Sequence, residues 1–181
     1  MHLDRVACPW LIRRFVDKDA EFLFVALGKE DSRPKDAVPF AIPGVELGPR
    51  DARGTCFDKI LRKYQLDDPA LALLGKIVVS GMNHAGHTGD RTDIPALEGI
   101  GLDAISQGMM LSALDDADNL EKSMAVYDAL YAYCKAQTLM EQDPSLAEKG
   151  VLERVRLLKP TIRAALSGGR PPTLLDGPPE R

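Results

Sequence analysis

The sequence predicts an α+β fold that is mostly α. Apolar residues recur at helical spacing through several long stretches, while short aromatic and β-branched runs are confined to residues 21–47. Strands alternating regularly with helices are missing, which argues against a doubly wound parallel sheet. The expected architecture is an N-terminal helix, a small antiparallel β-layer, then four or five packed helices.

Residues 4 to about 17 read as the first helix, with Asp4 able to cap it and Pro9 within its early part. Its apolar stripe runs through Ala7, Leu11, Ile12 and Phe15; Asp4 and Cys8 fall inside that stripe, and Arg5 lies at its edge. Glu21–Ala26 reads as a strand, and Val38–Ile42 and Val45–Leu47 as two more, pushed to a sheet edge by Pro39 and Pro43. Thr55 and Asp58 form a capping-box-like pair before a helix striped by Phe57, Ile60, Leu61 and Tyr64. Asp68-Pro69 starts another helix, expected to reach about Ser80. Residues 81–93 read as a glycine-rich polar loop. Leu102, Ile105 and Met109 mark a helix ending near Leu114, and Leu120, Met124, Tyr127, Tyr131 and Cys134 share one face of the clearest helix. Leu152, Val155, Leu158 and Ile162 mark the last, expected to bend or break near Pro160. Residues 1–168 form one expected domain, and the proline-rich residues 169–181 an expected disordered tail.

Composition narrows the function. The chain has 181 residues and a net charge of -4, with no long basic patch, so direct nucleic-acid binding is not expected. No apolar run reaches the roughly 18 residues of a membrane span. No charged segment followed by an apolar one opens the chain. The three cysteines, Cys8, Cys56 and Cys134, are odd in number and widely spaced, which argues for a reducing compartment, with the cytoplasm as default. Without a Walker A, Gly-x-Gly-x-x-Gly or Gly-x-Ser-x-Gly motif, no nucleotide cofactor is expected.

The first fourteen residues concentrate chemistry where a core helix is expected. Charged groups facing inward are costly unless paired or bound to something. Metal-ligand candidates are His2, Cys8, Glu46, His84 and His87, with zinc or iron the suitable ions. His84 and His87 form a loop His-x-x-His, whose plainer reading is two solvated side chains. Catalytic candidates are Asp4, Arg5, Cys56 and Asp58; Cys56 stands at a helix start, where the dipole favours a thiolate. Arg5, Arg14 and Arg50 are the oxyanion candidates, because the guanidinium fork suits bidentate anions. Arg5 is the main clamp in this reading, its alternative an ion pair with Asp4 or Glu46. Arg13 reads as a surface charge, Trp10 as packing and Cys134 as a core residue.

The blocks His2–Phe15, Ala20–Val25, Val38–Leu47, Thr55-Cys-Phe-Asp58, Lys63–Leu71 and Met124–Tyr133 together resemble the ChrB-type chromate-resistance domain, over roughly residues 1 to 135. The resemblance implies a role in resistance to, or sensing of, chromate, the tetrahedral dianion of Cr(VI). In that family the domain often follows a regulatory, DNA-binding part, whereas this sequence opens at the His-x-Asp-Arg block. Family members tend to carry histidine soon after the Glu-Leu pair; here Gly48-Pro49-Arg50 follows. The leading expectation is a cytoplasmic protein, able to form a homodimer, that binds an oxyanion such as chromate, or a metal ion. The alternatives are a metal-dependent enzyme on a small organic substrate, and a regulatory module working with a DNA-binding partner.

Overall fold

A computed structural model describes residues 2–26, 28–86 and 91–167. His87 and the tail 169–181 lie outside these residues. The described residues form six α-helices: α1 (Asp4–Phe15), α2 (Cys56–Lys63), α3 (Pro69–His84), α4 (Glu98–Ser112), α5 (Asp116–Gln142) and α6 (Val151–Leu166). Among the described residues there is no β-sheet, so the architecture is all-α and the expected β-layer is corrected. Among these residues two isolated bridges stand in its place, Phe40 with Leu47 and Asp51 with Gly54.

The physical reason is local. Pro39 and Pro43 offer no N–H to a ladder. Ala41 (φ 55°) and Gly44 (φ 79°) bend the chain out of extended geometry. Residues 21–26 form no regular element, and their apolar groups make no strand face: Leu23 is 62% exposed, while Phe22 packs edge-on against Phe40 at 6.2 Å. Aromatic content there serves a packed loop.

The helices follow their sequence signals more closely. Thr55 and Asp58 do form a reciprocal capping box at α2. Asp68 caps α3 and also takes hydrogen bonds from Tyr131 (2.7 Å) and Lys135 (3.0 Å), tying the start of α3 to α5. Helix α3 continues past Ser80 to His84, so the expected loop begins later. Helix α6 runs through Pro160 as one element.

The core lies among α1, α2, α3 and α5 and centres on Trp10, which is fully buried beside Phe15, Tyr127 and Tyr131. Its indole N–H donates to Asp128 at 2.8 Å, and Arg14 holds the same carboxylate with a two-pronged contact at 2.8 Å each. A smaller apolar cluster of Leu139, Leu146 and Leu158 seats α6.

Helices α3 and α4 cross with almost no space between backbones. A Cβ on Gly99 would stand 2.6 Å from the Gly81 amide nitrogen and 2.4 Å from the Ser80 Cβ. Only glycine permits this approach. Gly99→Ala is expected to lower stability by about 1–3 kcal/mol through overpacking, read as a lower urea midpoint with an unchanged slope.

Candidate functional site

Two polar clusters hang from the start of α1. The first is built around Asp4, which is 6% exposed. Its Oδ2 accepts from the Cys56 amide and its Oδ1 from the Phe57 amide, each at 3.2 Å. Asp4 therefore caps α2 rather than α1, meeting the unpaired N–H groups and positive dipole end of another helix. Cys8 also donates its thiol to Asp4 Oδ1 at 3.4 Å, one turn along α1. Cys56 Sγ donates to the Leu47 carbonyl at 3.1 Å. One ligand atom each from Asp4, Cys8 and Cys56 lies within 4.8 Å of the others, and all three residues are buried.

Burial pushes the Asp4 carboxyl up, against hydrogen bonds from Cys8, Phe57 and Cys56 that lower it; the net direction is up. Burial also pushes the Cys8 thiol well up, reinforced by the Cys56 thiol and the Asp4 charge. The Cys56 thiol is sealed from solvent. It faces inward, towards the Leu47 carbonyl, and is not exposed at the helix start.

The second cluster escaped the sequence reading in part. Asp103 on α4 is 2% exposed. One carboxylate oxygen lies 3.1 Å from His2 Nε2 and the other 2.8 Å from His84 Nδ1, while Gln107 donates to the first at 3.0 Å. His84 sits in the last turn of α3, not in a loop. The close α3–α4 crossing carries it to Asp103. Burial pushes the Asp103 carboxyl up, but hydrogen bonds from Gln107 and His84 and the nearby histidine charges outweigh it and leave it lowered. A helical wheel of α4 carried the signal, since Asp103 shares the buried face with Gly99, Leu102 and Ser106.

Between the clusters, Leu3 adopts φ 44°, outside the usual range for its side chain. Its N–H donates to Ser106 Oγ at 3.2 Å and its carbonyl accepts from Tyr127 at 3.1 Å. These bonds turn His2 towards α4 and Asp4 towards α2.

A third feature is an open hollow of about 550 Å³ in the loop before α2, bordered by Glu46, Gly48, Arg50, Asp51 and Arg53. Arg50 donates to Asn83 Oδ1 at 2.7 Å, and Asn83 donates to the Asp93 carbonyl at 2.8 Å. Arg53 pairs with Asp51 at 2.9 Å, and that pairing above all holds the Asp51 carboxyl low. Lys59, only 5% exposed, donates to the carbonyls of Gly48 (3.0 Å) and Pro49 (2.6 Å) and pairs with Asp51 at 3.0 Å. Nothing in the sequence pattern marked Lys59, because a lysine in a short helix usually faces solvent.

The remaining expectations sort as follows. Arg5 is exposed and does not face inward. Arg14 is committed to Asp128. Glu46 pairs with Lys63 at the surface. Asp58 is occupied in the capping box, accepting from the Thr55 N–H and hydroxyl at 2.8 Å each. The structure thus brings together Asp4, Cys8 and Cys56, and separately His2 and His84. It leaves Arg5, Arg14, Glu46 and Asp58 outside both clusters.

An all-helical domain with a buried thiol–carboxylate cluster and a histidine-clamped aspartate is the class these features define. The chain belongs to the ChrB C-terminal domain family: residues 1–134 match the model described as "ChrB, C-terminal domain". It is 34% identical over 137 residues to Protein ChrB of Cupriavidus metallidurans (strain ATCC 43123 / DSM 2839 / NBRC 102507 / CH34), covering 72% of this chain and 37% of that protein. The chain therefore spans little more than a third of that relative's length. No solved structure matches it. Among the described residues, no helix is long and apolar enough to cross a membrane.

The lowered Asp103 carboxyl contributes stability that is fully present above its ordinary value of 3.8 and is lost as pH falls through the lowered one. The stability gap between wild type and Asp103→Asn should therefore close on acidification below that value, in urea titrations across an acid pH series. Asp4→Ala leaves two buried amides without an acceptor and is expected to cost about 1–3 kcal/mol in the same assay.

Proposed function

We propose that this chain is a chromate-resistance-related domain that takes up an oxyanion, chromate foremost, in the hollow bordered by Arg50 and Arg53. Family membership supports the chromate-resistance setting. One observation carries the oxyanion reading: residues 44–63 hold five cations (Arg50, Arg53, Lys59, Arg62, Lys63) against three carboxylates (Glu46, Asp51, Asp58), within a chain whose net charge is -4.

Each of those carboxylates already has a local donor. Lys63 engages Glu46, Arg53 and Lys59 engage Asp51, and Thr55 engages Asp58. Arg50 borders the hollow, and its contact with the Asn83 amide oxygen fixes where its guanidinium stands. A guanidinium offers paired N–H donors to a tetrahedral anion. The hollow's volume admits such an ion with part of its hydration shell. Arg5 is not among the residues bordering it, so the clamp passes from Arg5 to Arg50.

Titration calorimetry with chromate and with sulfate tests this. Wild type is expected to bind both tetrahedral dianions. Arg50→Ala should weaken binding about tenfold or more, the loss of one charge-assisted contact. Arg5→Ala should leave it unchanged. No heat with either anion, or equal binding by Arg50→Ala, overturns the reading.

A further inference from the structure

Behind the first turn of α1, two sulfur atoms and a carboxylate converge in a space closed to solvent. We infer that Asp4, Cys8 and Cys56 form a binding site for a thiophilic divalent ion, with zinc as the leading occupant. The site is distinct from the oxyanion hollow and does not rest on it.

The geometry fits first. Zinc takes sulfur at about 2.3 Å and carboxylate oxygen at about 2.0–2.2 Å, so sulfurs sharing a tetrahedral ion stand about 3.8 Å apart. The three ligand atoms already lie within 4.8 Å of one another. Small side-chain rotations close that set around one ion, without moving a helix. The Leu47 carbonyl, 3.1 Å from Cys56 Sγ, is a further oxygen donor beside that thiol.

The chemistry fits as well. On binding, the ion displaces the two thiol protons to solvent and forms two metal–sulfur bonds; no electrons move. Two thiolates and one carboxylate around a divalent ion leave one net negative charge. That charge falls at the positive end of α2, where the Cys56 and Phe57 amides already face the Asp4 carboxylate. Those amides would orient the ligand from outside, as supporting hydrogen bonds do at metal centres. Soft thiolates favour zinc over magnesium or calcium.

The donors come from two helices 48 residues apart in sequence order, Cys8 on α1 and Cys56 on α2. An ion held there would staple α1 to α2 and stabilise the fold by mass action. Because all three residues are buried, entry requires local opening, so loading belongs with folding.

The test uses the whole chain, reduced, unfolded and refolded with zinc, then with cadmium as a spectroscopic probe. After desalting, wild type is expected to retain one equivalent of either ion. Cadmium should give a sulfur charge-transfer band, and the melting temperature should rise. Cys8→Ser and Cys56→Ser should each lose the retained ion; Cys134→Ser should keep it. Zinc-edge X-ray absorption on wild type needs no variant, and should show two sulfur neighbours at about 2.3 Å. No retained ion, or a coordination shell of nitrogen and oxygen alone, overturns the assignment. So does retention in both Cys8→Ser and Cys56→Ser.

Discussion

The Asp4 carboxylate is the contact on which the arrangement of this domain depends. A buried carboxylate is tolerated only when its lone pairs are met, and here two main-chain amides and a thiol meet them. The same contact settles where α2 lies relative to α1. Helix α2 is just eight residues long, too short to persist without help from its surroundings. Its first turn is secured twice, by the Thr55–Asp58 box from its own chain segment and by Asp4 from across the core.

Leu3 then distributes that order. Its unusual backbone angle is held by Ser106 and Tyr127, so neighbouring residues point in opposite directions. His2 reaches the α3–α4 pair through Asp103, and Asp4 reaches α2. The glycine-to-glycine crossing of α3 and α4 brings His84 within reach of the same carboxylate. Four helices thus report to the first four residues of the chain, through main-chain and side-chain hydrogen bonds instead of apolar packing alone.

Much of this was legible in the sequence and some was not. The wheel of α1 placed Asp4 and Cys8 inward because helical period alone decides which face a residue occupies. It could not say that Cys56 would stand beside them, since that depends on how a loop of forty residues returns. Arg5 sat at the stripe's edge, where a small rotation of the helix decides exposure, and it turned out exposed. The β-layer failed for a different reason. Phe22, Phe40 and Val45 have strand-like composition, but composition reports burial against a surface, and a loop packed on helices meets that demand without a ladder. Asp103 and Lys59 were hidden because each is a charged residue in an otherwise ordinary helix. Their burial follows from partners contributed by distant segments.

Lys59 has one further consequence. Its ammonium holds the loop before α2 chiefly through the Gly48 and Pro49 carbonyls, groups that every residue type possesses. The exposed side chains at Pro49 and Ala52 make no part of that grip. The loop can therefore exchange its outward-facing chemistry while its path over α2 is preserved. Such a grip uncouples the backbone path of the rim from the identity of the side chains that it presents to solvent.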